Sequence, residues 1–271
     1  PKVGMGMTED DRGRIWAVTY PNSGVAMFDP GTREFRDYGY VYDQNWRQYQ
    51  RTVAADDAGW IYFSVGNTRS QLIAFDPQAG QATPLLSEAE RVQGNAHVYR
   101  HVNGRVCGLA DEKHDEGPWY ELYRGKAMKL GAAITRQPKP IVTGLQGLFH
   151  RDFPSGKRVK SCDLTRRELV VEEPRTKEEK KVSFHYTSEG GHIMGVACAP
   201  DGTISGGAVF PARLFSYRPE TDALVDRDTY GHKLSWLAQS PVSIDAGGDW
   251  LAGRIYFAKG SHLYSYRVPE R

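Results

Sequence analysis

Six stretches of the chain repeat one short plan, a glycine followed by the entry of a strand: Gly13-Arg14-Ile15-Trp16, Gly59-Trp60-Ile61-Tyr62, Gly104-Arg105-Val106-Cys107, Gly156-Lys157-Arg158-Val159, Gly202-Thr203-Ile204-Ser205 and Gly253-Arg254-Ile255-Tyr256. Successive glycines lie 46, 45, 52, 46 and 51 residues apart. A second landmark ends a strand at a proline, which cannot continue a central ladder: Met27-Phe28-Asp29-Pro30, Ala74-Phe75-Asp76-Pro77, Phe215 to Pro219 and Tyr264 to Pro269. The third unit carries Trp119-Tyr120-Glu121-Leu122-Tyr123 in that place, and the fourth a charged hairpin, Glu168 to Phe184, turning at Pro174-Arg175-Thr176. Units of about 45 residues with three or four short strands each predict a β-propeller. The expected fold is therefore all-β, one propeller domain with six visible blades over 1–46, 47–92, 93–140, 141–189, 190–235 and 236–271. The chain stops on what reads as a third strand, so the alternatives are a last blade of three strands or a piece of a larger seven- or eight-bladed ring. A pair of β-sandwiches accounts for the strands but not for the period.

Composition narrows the partners. With 35 basic and 33 acidic side chains the formal charge is +2, which gives no bulk attraction to nucleic acid or to a membrane surface. There is no apolar run of about 18 residues to cross a bilayer as a helix. The chain opens on Pro1 without an initiator Met, compatible with a removed leader and with a secreted or periplasmic location, and the compartment stays open. Cys107, Cys162 and Cys198 form no Cys-x-x-Cys pair and read as small apolar residues beside strands.

The innermost strand of each blade is expected just before its landmark glycine, at 4–8, 50–54, 95–99, 147–151 and 193–197, with a poorly defined sixth near 242–248. Side chains on such a strand alternate. Counting back from each glycine, the sixth residue is Met7, Val53, Val98, His150 and Val196, a row predicted to pack between blades. The seventh is Gly6, Thr52, His97, Phe149 and Gly195, a row predicted to face the axial channel, with Gln50, Asn95, Tyr99 and Arg151 beside it. His97 is on this reading the candidate base or metal ligand. His150 breaks an apolar row and reads either as a hydrogen-bonded core residue or as a functional one. His192, after Gly190-Gly191, is placed one step above its strand at the channel mouth. His97, His150 and His192 could converge on one divalent cation, although no His-x-His or His-Glu-x-x-His spacing supports it.

Loops between second and third strands lie on the face where the chain enters the innermost strands. They carry Arg69 in blade two, Arg166 and Arg167 in blade four and Arg213 in blade five, guanidinium groups suited to a carboxylate, sulfate or phosphate. The equivalent loop of blade three is acidic, Asp111 to Gly117, and the first inter-blade connection is aromatic, with Trp46 and Tyr49 beside Gln48 and Gln50. Aromatic faces beside amides stack on sugar rings and hold their hydroxyls.

The pattern (Asp/Asn)-x-Gly-x-(Ile/Val)-(Trp/Tyr), a polar loop, an apolar pair and Asp-Pro-x-(Thr/Ala)-Gly, clearest in 11–32, 56–80 and 201–221, resembles the propeller superfamily of streptogramin lyases, gluconolactonase-like proteins and NHL-repeat proteins. The resemblance implies the fold strongly and an activity weakly. Because that superfamily contains lyases, the expectation is a propeller enzyme acting on an anionic saccharide or similar polar ligand by β-elimination. Arg69, Arg167 or Arg213 would neutralise a carboxylate, His97 or His192 would remove the acidified proton, and Tyr99 or Tyr49 would protonate the leaving oxygen. Asn95, Gln50, Tyr49 and Trp46 would contact the substrate. The alternative is a non-catalytic propeller that binds a glycan or a protein. A lactonase needs carboxylates around a channel metal, and the rows above hold none. Lack of a basic stripe disfavours nucleic acid.

Overall fold

The computed structural model describes residues 3–44, 48, 52–101, 103–111, 118–131, 157–163, 168–183, 192–198, 204–209, 213–218, 221, 223–229, 242–243, 254–259 and 262–267. Their regular structure is all β, in six antiparallel sheets. The first holds β1 (Val3–Glu9), β2 (Ile15–Tyr20), β3 (Ser23–Asp29) and β4 (Glu34–Tyr42); the second β5 (Val53–Ala55), β6 (Ile61–Val65), β7 (Gln71–Asp76) and β8 (Gln81–Pro84). The third holds β9 (His97–Arg100), β10 (Val106–Leu109), β11 (Trp119–Tyr123) and β12 (Lys126–Lys129); the fourth β13 (Arg158–Asp163), β14 (Glu168–Glu172) and β15 (Glu179–Ser183). The fifth holds β16 (His192–Cys198), β17 (Ile204–Val209), β18 (Arg213–Arg218) and β19 (Ala223–Thr229), and the sixth β20 (Val242–Ser243), β21 (Arg254–Lys259) and β22 (His262–Arg267). Strands follow chain order within every sheet. β1 lies beside β5 and also beside β20 and β21, β5 beside β9, and β16 beside β20, so first strands neighbour first strands and the sixth sheet meets the first. This is the propeller that the period predicts. No described helix is long and apolar enough to cross a membrane.

The landmark glycines have a backbone reason. Gly13, Gly59 and Gly104 turn each first strand into its second at φ 76°, 91° and 82°, the left-handed region where a Cβ is disfavoured. In blades one and two a buried aspartate clasps that turn. Asp10 Oδ1 accepts the Arg14 N–H at 3.0 Å and its Oδ2 the indole N–H of Trp16 at 2.8 Å. Asp56 Oδ1 accepts the Trp60 N–H at 2.8 Å and its Oδ2 the Tyr62 hydroxyl at 3.0 Å, with the same offsets along the chain. Blade three has His101 and Cys107 at those places and closes the turn through backbone, Gly104 N–H to His101 O at 3.1 Å. The Asp-Pro landmark repeats too: Asp29 Oδ1 accepts Gly31 N–H at 2.9 Å, and Asp76 Oδ1 accepts Gln78 N–H at 2.8 Å.

The apolar sets on a strand's two faces enter different cores. Trp16, Val18, Val25 and Met27 of blade one close on Val53, Ala55, Ile61, Phe63, Val65, Ile73 and Phe75 of blade two. The opposite face of blade two, with Ala54, Tyr62, Leu72 and Ala74, closes on Val98, Val106, Tyr120 and Leu122 of blade three. The other face of blade one, Met7 and Ile15, meets Tyr256 of the sixth blade. The expectation that one row of each innermost strand lines the channel gives way in blade two, where Val53 and Ala55 enter the core shared with blade one and Ala54 the core shared with blade three. Thr52, read as channel-facing, is buried, hydrogen-bonded to Ser64 at 2.5 Å, and accepts the Val98 N–H at 2.9 Å across the gap between blades two and three.

At the end of the innermost strands away from the inter-blade connections, Arg100 donates to Ala55 O at 2.6 Å and to Asp11 Oδ2 at 2.8 Å. Blade three thereby reaches over the end of blade two's first strand to the first turn of blade one.

Two expected loop residues are strand residues: His192 opens β16, paired with Val209, and Arg213 opens β18, paired with Ala208 and Thr229. The strands β5 and β9 also begin two or three residues later than expected, and 147–151 lies outside the described residues. The charged hairpin of blade four forms as predicted, with Lys177 at φ 62° in its turn and 179–181 exposed on the outer strand.

Replacing Asp56 leaves the Trp60 amide, the Tyr62 hydroxyl and the Arg124 amide, which donates to Oδ2 at 2.9 Å, without their acceptor. Asp56→Ala should cost about 3 kcal/mol in urea denaturation, since each abandoned buried donor costs ~1–3 kcal/mol. Asp57→Ala, at the exposed neighbouring position, should stay within about 0.5 kcal/mol. Equal losses at the two positions would show that the clasp does not hold the turn.

Candidate functional site

The β6–β7 loop and the connection from β8 to β9 are zipped together on one face of blade two. Asn67 N–H donates to Gly94 O at 3.1 Å, Ser70 N–H to Val92 O at 2.8 Å, and Val92 N–H to the Ser70 hydroxyl at 3.0 Å. Gly66 bridges Asn95, and a Cβ on it would lie 2.1 Å from Asn95 Oδ1, so only glycine admits this approach. Gln71 pins the connection from below, its amide donating to Leu86 O at 3.0 Å and accepting Leu86 N–H at 2.8 Å. A Ser-x-x-Glu turn then sets the direction of the chain: Glu90 accepts from the Ser87 N–H at 2.9 Å and the Ser87 hydroxyl at 2.6 Å.

This turn delivers Arg91 into a polar network. Its side chain is 5% exposed, and its guanidinium donates to Ser70 O at 2.9 Å, Glu88 Oε1 at 2.6 Å and Gln44 Oε1 at 3.2 Å. Gln44, from the first inter-blade connection, in turn donates to the Tyr42 hydroxyl at 2.6 Å. Arg69 approaches from the β6–β7 loop: NH1 pairs with Glu88 Oε2 at 2.7 Å and NH2 donates to Glu88 O at 2.7 Å. Its side chain is 46% exposed, and its other N–H groups have no partner among the described residues. One carboxylate thus bridges two guanidinium groups. The hydrogen bond from Arg91 holds the Glu88 carboxyl below the ordinary carboxylate range, and burial raises the Tyr42 phenol above its own. Glu90 faces away, accepting the Tyr120 hydroxyl at 2.9 Å, and the bonds from Ser87 lower its pKa.

Asn95 follows in the same connection and bridges Gly66 of the β6–β7 loop, two residues before His97 opens β9. His97 is half-buried at the start of β9, paired with Leu109, its ring centroid 5.9 Å from that of Tyr99. Tyr99 is buried edge-on against Trp119, centroids 6.0 Å apart, in a core with Cys107 and Leu109. This core lies on the face of blade three opposite Val98. His97 therefore sits at the loop end of a blade face, and Tyr99 lies inside it. In that core burial pushes the Cys107 thiol up to about 11.

Of the residues singled out in the sequence, Arg69 and Asn95 lie on the two segments that this zipper joins, and His97 opens the strand that follows. Trp46, Tyr49, Gln50, His150 and Arg167 lie outside the described residues, as do the side chains of His192 and Arg213 and most of the acidic loop of blade three. No group of three or more His, Cys, Asp or Glu side chains among the described residues could hold a metal ion. Sequence reasoning missed Arg91, Glu88 and Gln44; the Ser87-Glu88-Ala89-Glu90 turn signature was the available sign that this connection is ordered.

No protein-family model and no curated protein matches the chain. Among solved structures, the chain is similar to a chain of the mitotic checkpoint complex, at TM-score 0.56 and 9% identity over 98% of this chain and 87% of that one. It is also similar to the calcium-binding protein regucalcin from Agrobacterium tumefaciens str. C58, at TM-score 0.50 and 16% identity over 94% and 81%. A streptogramin B lyase structure aligns with all of this chain and 85% of its own at TM-score 0.48 and 10% identity. The chain shares the propeller fold with the first two, and at such identities the likeness extends to fold alone.

The network separates its two arginines energetically. Arg91→Ala should cost about 2 kcal/mol, because hydrogen bonds to a buried charge are worth ~1.5–3 kcal/mol, whereas Arg69→Ala should stay within about 1 kcal/mol, the range of an exposed pair. Chemical denaturation of both variants checks this, and a larger loss at Arg69 would reverse the assignment.

Proposed function

We propose that the protein takes an anionic saccharide or similar polar carboxylate on the loop face of blades two and three and acts on it as a β-eliminating lyase. The observation that carries this reading is Arg69, a half-exposed guanidinium whose other N–H groups have no partner among the described residues, on the loop zipped to the connection that bears Asn95 and leads into His97. A guanidinium against the ligand's carboxylate stabilises the charge that develops when the adjacent carbon loses its proton. His97 is the base that takes it. The C–O bond one carbon further on then breaks, a C=C bond forms, and the departing oxygen takes up a proton. Tyr49 is the better donor for that proton than Tyr99, which is enclosed by Trp119 and Cys107. Asn95, Gln50 and Trp46 hold hydroxyls and the ring face, and Arg167, Arg213 and His192 extend the same site to blades four and five.

The described residues do not make a metal site, and no step above runs through one. The regucalcin relative is a calcium-binding protein, and a divalent cation held through His97, His150 and His192 belongs to the proposal as a separate element tested by metal analysis. A second reading, a propeller that binds the same ligand without chemistry, is favoured by the position of His97 and Tyr99 on a blade face.

Incubation of the purified chain with uronate polysaccharides, followed by ultraviolet absorbance of unsaturated product, tests the reading. The wild type should generate product, His97→Ala should lose about 100-fold or more, as removal of a general base does, and Arg69→Ala should raise KM. Binding without product would sink the lyase and leave the scaffold, and the absence of both would remove the anionic ligand as well.

A further inference from the structure

We propose that Glu88 is a built-in occupant of the ligand's carboxylate seat, so that binding proceeds by exchange of one carboxylate for another on Arg69 and Arg91. The inference rests on the proposed anionic ligand and adds its chemical class: a planar two-oxygen carboxylate. The two Glu88 oxygens are divided between two guanidinium groups, Oε1 to Arg91 at 2.6 Å and Oε2 to Arg69 at 2.7 Å, a geometry in which a ligand carboxylate would be received. The occupant is accessible and the seat is fixed. Glu88 has a side chain 68% exposed, whereas Arg91 is 5% exposed and keeps its bonds to Ser70 O and Gln44 whether or not Glu88 stays. Arg69 is likewise retained by the Glu88 backbone carbonyl, which does not move with the carboxylate.

The charges on this face favour exchange over simple addition. A ligand carboxylate placed on Arg69 with Glu88 still there would set two anions in contact, which is repulsive even in a high effective dielectric. Glu90, on the same turn, is turned to Ser87 and Tyr120 and does not compete for the arginines. Glu88 is held ionised by Arg91, so the seat is filled at neutral pH. Such an arrangement lets the free protein keep two adjacent guanidinium groups apart from other anions until a carboxylate of sufficient local concentration arrives.

Isothermal titration of trigalacturonate, with its methyl ester as the neutral control, tests the exchange. Glu88→Gln keeps the size and removes the charge, and it should bind trigalacturonate about two- to five-fold more tightly than the wild type, the factor that corresponds to loss of one exposed ion pair. Binding of the methyl ester should not change. Glu88→Ala should tighten binding in the same direction, and thermal melting establishes that both variants are folded. Binding only by the Glu88 variants would support the exchange equally. If the wild type binds, Arg69→Ala weakens binding and neither Glu88 variant tightens it, the exchange is overturned while the anionic ligand stands. If neither wild type nor variants bind, both are overturned.

Discussion

The innermost strand of blade two is a few residues of backbone buried on both sides, and most of what the protein can do follows from that. Val53 and Ala55 belong to the core shared with blade one, and Ala54 to the core shared with blade three. Each such apolar side chain contributes favourably only while the sheet it faces is present, about 1.5–3 kcal/mol for a fully buried Val, Ile or Phe. A strand with both faces committed has no row of side chains left to offer a ligand. Polar chemistry in the described blades consequently moves to the connections, where Arg69, Glu88, Arg91, Asn95 and His97 all lie or begin.

The sequence made the ring legible because its markers are local. A left-handed glycine at the first turn and an aspartate that accepts from the turn it precedes are written within a few residues, and their recurrence gives the period without any knowledge of packing. What lies beyond a strand is not local. The alternation Met7, Val53, Val98 against Gly6, Thr52, His97 is real, but in blade two it separates two blade interfaces instead of an interface and a channel. Thr52 misleads for a physical reason: its hydroxyl is satisfied by Ser64 and by the Val98 amide, so a polar residue sits in a packed gap at little cost. His192 and Arg213 open β16 and β18 instead of lying in the connections before them, a difference at an element's end.

The arginines show the same limit from the other side. Arg69 is visible as a cation in a loop that faces the connections. Arg91 is invisible as a buried one, because burial of a guanidinium depends on three acceptors from separate places: the Ser70 carbonyl, the Glu88 carboxylate and the Gln44 amide. Desolvating the charge is expensive, and the fold offsets that expense by converging these acceptors at 2.6–3.2 Å. A near-neutral chain thus carries a strongly polarised spot whose existence net charge does not report.

At the opposite end of the ring, Arg100 of blade three grips both the last carbonyl of β5 and Asp11 of blade one. Blade two is therefore held at its far end by two neighbours that also hold each other across it. A repeat sequence invites the picture of interchangeable cassettes, each removable at the cost of its own two interfaces. For this stretch the unit is larger than the repeat: a foreign blade grafted in place of the second would have to present a carbonyl at the right height for a side chain that is not its own, and would break a tie between two blades it replaces neither of.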